Sequence, residues 1–265
     1  MNKNVEELFS LNDKVVVITG GAGMLGTQHA EILSDAGAHV VIVDIKQEFC
    51  DTVAQTITSR NNVEAIGIEA DITNEIALKN AVEIINKKFG KIDILINNAA
   101  VKPKNLFNKF EEYSLEDWRE VVSVDLDAVF LCSKIFGNEI LKQKKGVIIN
   151  IGSIYGIVGP DQSIYGDSPN KAPAVYSACK GGVINLTRYL ATYFGDRGIR
   201  VNCLSPGGVN NNLDKDFIER YSKKTPLGRL AKKHELKGAI LFLASDASSY
   251  MTGANLVVDG GWTAW

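Results

Sequence analysis

Short apolar runs rich in β-branched residues alternate with helix-length amphipathic segments along the chain. This alternation is typical of repeated βαβ units, in which parallel strands are buried on both faces beneath helices. It predicts an α/β fold with a doubly wound, parallel, seven-stranded sheet and helices on both faces. With 265 residues and 45% hydrophobic composition, the chain can bury one sizeable core, so we expect residues 1–265 to form a single domain.

The elements follow from the same periodicity. Seven runs are predicted as strands: 14–19, 39–43, 63–70, 92–97, 146–151, 199–204 and 255–258. Six segments are predicted as helices: 24–35, 47–60, 74–89, 115–142, 174–194 and 235–244. Three further segments are candidate substrate loops: 101–114, 155–173 and 207–228. The first two leave the carboxyl ends of strands, where ligands bind in open α/β sheets, and the polar third is predicted to hold a short helix and act as a lid.

Charge and hydropathy exclude several classes of partner. The 29 basic and 31 acidic residues are spread along the chain, and no basic run is long enough to follow a phosphate backbone. Nucleic acid is therefore not an expected partner. The first residues include Glu6 and Glu7 and contain no apolar stretch of leader length, and no later segment reaches membrane-spanning length. These features predict a cytoplasmic protein without a membrane partner.

Cysteine and histidine spacing argues against metal and disulfide chemistry. The chain has four widely separated cysteines and three histidines: Cys50, Cys132, Cys179 and Cys203, with His29, His39 and His234. No CxxC pair occurs, as expected of buried thiols in a reducing compartment. No histidine lies at ligand spacing from another histidine or a cysteine, so no metal site is predicted.

The first predicted strand runs into TGGAGMLG, Thr19 to Gly26, and then into a helix. Glycines at this position let the backbone approach a pyrophosphate, while the helix N-terminus offers unpaired N–H groups, as in a Rossmann-type dinucleotide site. Asp44 ends the second predicted strand, near the ~20-residue spacing of the acidic group that binds a ribose hydroxyl. A carboxylate there repels a 2′-phosphate, which favours NAD over NADP, although the nearby Lys46 leaves NADP open.

A second group of residues suits proton transfer. Tyr176 and Lys180 lie one turn apart on a predicted helix, and an ammonium beside a tyrosine favours its phenolate. Ser153 follows the fifth strand, where its hydroxyl can hydrogen-bond a substrate oxygen. A tyrosine and a lysine at this helical spacing are about as often an exposed pair without function as a catalytic pair. The spacing of Tyr176 and Lys180 alone therefore does not establish a catalytic site.

The order of motifs resembles that of the short-chain dehydrogenases/reductases over nearly the whole chain: TGGAGMLG, Asp44, Asp71, NNAA at 97–100, Ser153, YSACK at 176–180, SPGG at 205–208 and TGANLVVDGG at 252–261. The resemblance implies catalytic roles for Ser153, Tyr176, Lys180 and Asp125. It also implies cofactor binding by Gly20, Gly23, Met24, Leu25, Gly26, Asp44, Asp71, Ile72, Asn97, Ala99, Tyr176, Lys180, Pro206, Gly207 and Val209.

Three positions depart from the family's common pattern. Met24 stands where a glycine is usual, which we expect to alter the turn without abolishing cofactor binding. Asp125 stands where the family usually carries an asparagine, so the proton relay is either unchanged, if only the backbone matters, or altered. The gap between Ser153 and Tyr176 is wider than usual and is expected to shape the substrate pocket.

The family implies an NAD(H)-dependent oxidoreductase that transfers hydride between a nicotinamide and a carbonyl or secondary alcohol. Similarity to enzymes of bacterial flagellin-sugar modification suggests a sugar or sugar phosphate used in surface-glycan synthesis. Polar loop residues are candidate substrate contacts: Lys102, Lys104, Asp161, Tyr165, Lys171 and Asn211. A 3-oxoacyl-(acyl-carrier-protein) reductase and a non-catalytic NAD-binding scaffold or sensor are the alternatives.

Surplus apolar residues on two predicted helices suggest a partner surface. Phe130 and Phe136 lie on the first helix, and Tyr189 and Tyr193 on the second. The family resemblance implies a homodimer or homotetramer through these helices, with Trp262 and Trp265 at a second contact. Core burial is the alternative for each residue.

Overall fold

The computed structural model describes residues 4–265, so the first three residues of the predicted domain lie outside it. Its parallel sheet contains seven strands: β1 Val15–Thr19, β2 His39–Asp44, β3 Ala65–Glu69, β4 Ile94–Asn97, β5 Gly146–Ile151, β6 Ile199–Pro206 and β7 Asn255–Val258. Their order is β3-β2-β1-β4-β5-β6-β7. The order reverses between β1 and β4, which creates a crevice at the carboxyl ends of these strands. The predicted fold class is confirmed.

The α-helices of the described residues are α1 Val5–Phe9, α2 Met24–Asp35, α3 Gln47–Arg60, α4 Glu75–Phe89, α5 Leu115–Val122, α6 Ala128–Lys142, α7 Ala174–Phe194, α8 Lys215–Lys223 and α9 Lys237–Ala244. The short helix predicted within 207–228 is α8. The short helix α1 was not predicted. It is stabilised by a capping box, in which the Asn4 side chain and Glu7 each accept a hydrogen bond from the other's backbone N–H.

Several predicted boundaries are wrong. The helix predicted over 115–142 is divided by a π-helical turn, Ser123–Asp127, which separates α5 from α6. Asn74 lies outside α4 as its N-cap, because its side chain accepts hydrogen bonds from the backbone of Ile76 and Ala77. The segment before α9 forms a 3₁₀ turn, Lys233–Leu236. Strands β1, β3 and β4 are shorter than predicted, while β2 and β6 are longer.

Two apolar layers cover the faces of the sheet. Val15 and Val17 of β1 face one layer, and the intervening Val16 and Ile18 face the other, as strand geometry requires. The first layer also contains side chains of α4, α6 and α7, including Leu78, Phe136 and Phe194. The second contains side chains of α2, α3 and α9, including Leu33, Cys50 and Ile240. Residues at the carboxyl edge are thereby held by strands buried on both sides.

His29, on α2, is a buried base with no assigned role. Its side chain is 0% exposed, and neither ring nitrogen has a hydrogen-bond partner among the described residues. Burial lowers the pKa of His29 from 6.5 to about 4. As the pH falls below 6.5, His29 binds a proton in the unfolded chain but stays neutral in the folded chain until the pH nears 4. The free energy of unfolding therefore decreases as the pH decreases.

Because of His29, we expect the free energy of unfolding to decrease by about 2 kcal/mol when the pH is lowered from 7 to 5. His29→Leu should be at least as stable as the parent at pH 7 and should lose less stability at pH 5, as measured by urea unfolding. His234→Gln, a change at an exposed histidine, is the control. Equal losses in the parent and His29→Leu would contradict the assignment.

Candidate active site

Two cavities open at the carboxyl edge of the sheet. The first, here called the glycine cleft, has a volume of about 770 Å³ and lies over the ends of β1, β2 and β4. The second, the lid cavity, has a volume of about 690 Å³ and lies between the loop 155–173 and the segment 207–228. Ser153, Tyr176 and Gly207 line both cavities. A molecule in one cavity therefore meets a molecule in the other at these residues.

A third cavity, of about 810 Å³, lies at the opposite edge of the sheet. Its lining includes Lys14, Asp93, Gly146 and Ile199, close to the amino ends of their strands. It contains none of the predicted site residues. Binding sites in open α/β sheets lie at the carboxyl ends, so the other two cavities are the candidates for function.

The turn after β1 forms the floor of the glycine cleft. Gly20 has φ +59°, and a Cβ on it would lie 2.7 Å from the Cα of Ala99. A Cβ on Gly26 would overlap the carbonyl oxygen of Gly20. Gly23 precedes α2 without a side-chain cap, which leaves the N-terminus of this helix available to an anion. This cradle fits the pyrophosphate of a dinucleotide, and Met24 lines the cleft without closing it.

Asp44 is held at the rim of this cleft by two backbone hydrogen bonds. Its carboxylate accepts from the N–H of Ala22 at 3.1 Å and from that of Ile45 at 2.8 Å. The ammonium of Lys46 lies over the ring of Phe49, 5.3 Å from its centroid. The fixed charge at the rim is therefore negative.

The structure brings most predicted cofactor-binding residues together in the glycine cleft: Gly20, Gly23, Met24, Leu25, Asp44, Asp71, Ile72, Ala99, Tyr176, Lys180, Pro206, Gly207 and Val209. Gly26 supports the turn from beneath. Asn97 does not line the cleft, because its amide donates to the Ser133 hydroxyl at 3.1 Å and to Asn150 Oδ1 at 2.8 Å. The cleft is lined instead by Asn98, whose amide nitrogen donates to the carbonyl groups of Thr19 and Gly20.

The three candidate catalytic side chains converge where the cavities meet. Ser153 follows β5, and its Oγ accepts a hydrogen bond from the N–H of Tyr155 at 3.2 Å. Lys180 is 3% exposed, and its ammonium donates to the carbonyl oxygen of Ile151 at 3.1 Å. The same ammonium lies 5.5 Å from the centroid of the Tyr176 ring. A hydroxyl, a phenol and a fixed positive charge thus face one space.

Asp125 lies behind this group on the π-helical turn and is 0% exposed. Its Oδ1 accepts from the N–H of Val101 at 2.9 Å, while Oδ2 has no hydrogen bond to any described residue and lies 3.8 Å from Lys180 Nζ. Burial raises the pKa of Asp125, whereas the Lys180 ammonium and the Val101 N–H act in the opposite direction. One oxygen of the Asp125 carboxylate therefore anchors the loop after β4 through the Val101 N–H. The other oxygen interacts electrostatically with the Lys180 ammonium.

Aromatic side chains form the walls of the lid cavity. Tyr165 packs against Phe217 of α8 with ring centroids 5.4 Å apart. Tyr221 stacks on Trp262 at 4.1 Å, and its hydroxyl accepts from the N–H of Gly208 at 2.6 Å. Helix α8 is thereby fixed between the loop 155–173 and the C-terminal residues.

The polar loop residues predicted to contact substrate are dispersed. Tyr165 lines the lid cavity, and Lys102 lines the glycine cleft. Lys104 and Asn211 line neither cavity. Asp161 forms an ion pair with Lys224, and the Lys171 ammonium donates to the carbonyl oxygen of Gly166 at 3.3 Å. Neither of these last two side chains lines either cavity, and both bind the protein itself.

Comparison with known proteins places the chain among relatives of the same architecture. The family profile described as "Enoyl-(Acyl carrier protein) reductase" matches residues 21–263. Meso-2,3-butanediol dehydrogenase of Serratia marcescens is 35% identical over 257 residues, which cover 96% of each chain. The chain belongs to the short-chain dehydrogenase/reductase family.

Two solved structures of short-chain dehydrogenases/reductases match almost end to end. The first is a short chain dehydrogenase of Leptospira borgpetersenii with bound NAD+, 38% identical, with a TM-score of 0.85 and coverage of 99% of this chain and 97% of that one. The second is a gluconate 5-dehydrogenase of Burkholderia cenocepacia in complex with NADP and tartrate, 30% identical, with a TM-score of 0.89 and coverage of 99% and 100%. This short-chain dehydrogenase/reductase is an oxidoreductase that uses a nicotinamide cofactor and acts on CH–OH groups.

The predicted partner surface of this short-chain dehydrogenase/reductase is smaller than expected. Phe130, Tyr189 and Tyr193 are 53%, 61% and 53% exposed on α6 and α7. Phe136 and Trp262 are buried, at 0% and 7% exposure, so neither can contact a partner. Phe136 extends from α6 into the first apolar layer, and Trp262 packs against Tyr221 of α8. Trp265 is 80% exposed, although its indole N–H donates to the carbonyl oxygen of Lys224.

Within residues 4–265, no group of three or more His, Cys, Asp or Glu side chains is arranged to hold a metal ion. Over the same residues, no helix has both the length and the apolar character needed to span a bilayer.

Proposed function

We propose that this enzyme is an NAD(H)-preferring dehydrogenase/reductase of a secondary alcohol in a small hydroxylated molecule, such as a polyol, sugar or sugar derivative. The observation that carries the proposal is the junction of the two cavities at Ser153 and Tyr176. A nicotinamide cofactor seated in the glycine cleft supplies hydride transfer. The lid cavity then presents the reacting carbon of the substrate to it.

The side chains at the junction suit the proton transfer that accompanies hydride transfer. In the oxidation direction, the Ser153 hydroxyl donates to the substrate oxygen, and the Tyr176 phenolate takes the hydroxyl proton as the C–H hydride leaves. The Lys180 ammonium stabilises that phenolate through its charge. Reduction reverses these movements, with the Tyr176 hydroxyl donating its proton to the developing alkoxide.

The lining of the lid cavity supports a hydroxylated substrate. Its volume of about 690 Å³ lies within the usual range for small-molecule sites. Aromatic walls alternate with polar groups, and Asp167, Asp214 and Asp216 offer carboxylates at the mouth. These groups accept hydrogen bonds from hydroxyls. Three acidic side chains at the mouth disfavour the alternative of an acyl-carrier-protein substrate, for which we expect a basic entrance.

A substrate panel with the purified enzyme tests this function. It contains alditols, diols, hydroxycyclohexanecarboxylates, aldonates, sugar phosphates and 3-oxoacyl thioesters, each with NAD(H) and NADP(H). Turnover of a hydroxylated small molecule with NAD(H) supports the proposal. Turnover of the thioesters alone, or with NADPH alone, contradicts it. Tight NAD binding without any turnover favours the scaffold alternative.

The cofactor preference rests on the Asp44 carboxylate, which would face the 2′-phosphate of NADP at the rim of the cleft. We expect Asp44→Ser to lower the ratio of kcat/KM for NADH to that for NADPH by about tenfold or more, because like-charge repulsion is removed. Glu48→Ser removes an exposed charge from the first turn of α3 and is the matched control. An unchanged ratio in Asp44→Ser would show that another group selects the cofactor.

The exposed aromatic residues and the thiols support two further expectations. Phe130 on α6 and the stacked Tyr189 and Tyr193 on α7 are exposed aromatic residues that suit self-association as a homodimer or homotetramer. Sedimentation of the parent and of Phe130→Lys tests this, since a charge at such an interface shifts the equilibrium toward monomer. The four cysteines are buried and unpaired, which is consistent with a reducing cytoplasmic location.

A further inference from the structure

Arg220 of α8 is the one basic side chain that lines the lid cavity among the described residues. Its Nε donates to the carbonyl oxygen of Ile164 at 2.9 Å. The guanidinium lies flat against Gly166, where a Cβ would come within 2.8 Å of Cζ. Gly166 has φ +54°, a conformation that favours glycine. The loop is therefore shaped to seat this guanidinium in one orientation.

Among the described residues, the terminal nitrogens of Arg220 have no hydrogen-bonding protein partner. Within residues 4–265, no carboxylate lies within 4.0 Å of the guanidinium, and neither terminal nitrogen donates a hydrogen bond. The neighbouring basic residues of the lid are paired, Lys223 with Glu219 at 2.6 Å and Lys224 with Asp161. This half-buried guanidinium is held through its Nε, so the terminal N–H groups, which lie in one plane, are available to donate hydrogen bonds to an oxyanion of a ligand.

The other charged side chains around the cavity limit the charge of the anionic group that can bind there. Asp167, Asp214 and Asp216 also line the cavity, and all three are exposed at its mouth. They repel a dianion more strongly than a monoanion. They accept hydrogen bonds from hydroxyls, and the Arg220 fork matches the two oxygens of a carboxylate.

We propose that Arg220 binds a carboxylate of the substrate, so that the enzyme acts on hydroxy acids in which the reacting carbinol and the carboxylate lie on different parts of the molecule. This assignment rests on the proposed function, because Ser153 and Tyr176 define the end of the cavity at which the carbinol reacts. The carboxylate lies against α8, and hydroxyl groups of the substrate face the acidic mouth.

The test compares each hydroxy acid of the substrate panel with its primary amide, which has nearly the same shape and no charge. In the parent enzyme we expect kcat/KM to be about 10- to 100-fold higher for the acid, as for a charge-assisted pair of hydrogen bonds. Arg220→Met keeps the apolar stem and should abolish this difference, chiefly by raising KM for the acid. Arg220→Lys should recover part of it, since a point charge replaces the fork.

Lys223→Met is the matched control, because it removes a basic group from the same helix outside the cavity. NADH binding and urea unfolding of each variant establish that the fold is intact. Equal kcat/KM for acid and amide in the parent, an undiminished acid preference in Arg220→Met, or stronger selection of phosphate esters would overturn the proposal. If no alcohol is oxidised, the proposed function fails instead, and competitive binding of acids and amides to the NADH-loaded enzyme still decides the role of Arg220.

Discussion

Replacing Tyr176 by phenylalanine is expected to reduce turnover by about 1,000-fold, because the variant lacks the group that exchanges a proton with the substrate oxygen. The ring itself is retained, so the wall shared by the two cavities keeps its shape. NADH binding should therefore be nearly unchanged. Single-turnover kinetics and fluorescence titration with NADH separate the two quantities.

Tyr250→Phe removes a phenol of full exposure at the opposite edge of the sheet and is the matched control for Tyr176→Phe. It should retain full turnover. If Tyr176→Phe loses NADH binding and turnover together, the residue supports the cofactor site and another group transfers the proton. If turnover survives in Tyr176→Phe, the assignment of the proton donor is wrong.

The local pattern of apolar residues was sufficient to predict the sheet. Which side chains line the glycine cleft depends in addition on the register of each strand. Parallel strands buried on both faces leave long apolar runs, and the motifs at their carboxyl ends meet at one edge for any such sheet. Asn97 and Asn98 illustrate where this reasoning ends. One residue of register sends a side chain to the other face, and the family motif alone did not distinguish the buried Asn97 from the cleft-lining Asn98.

The features missed by sequence reasoning depend on contacts between distant segments. The periodicity over 115–142 is that of one helix, and the π-helical turn within it buries Asp125 against the N–H of Val101. The apolar character of Trp262 suits either a partner surface or the core. Its stacking on Tyr221 in the structure shows that it belongs to the core. Arg220 belongs to a polar segment without a motif, and its role depends on the glycine that seats it.

Lys180→Met is the variant with the second large effect, since it removes one member of a buried pair. Asp125 remains 0% exposed and loses the ammonium 3.8 Å away. Breaking such a pair costs about 3 kcal/mol of unfolding free energy. Turnover should fall about 100-fold as well, because the charge that stabilises the Tyr176 phenolate is lost. Lys79→Met removes a lysine from an exposed pair with Glu75 and should change stability by less than about 1 kcal/mol.

The pH dependence of Lys180→Met identifies the cause of its instability. Lys180 lowers the pKa of Asp125, which burial raises, so its removal leaves burial acting with less opposition. The folded variant therefore has a pKa of Asp125 that is raised further above the ordinary value of 3.8 than in the parent. Its stability should fall as the pH rises from this value, with the opposite sign to the effect of His29. Adding Asp125→Asn removes the titrating group while retaining an acceptor for the Val101 N–H, so the double variant should lose this slope and recover stability at pH 7. A slope that persists in the double variant would place the titrating group elsewhere.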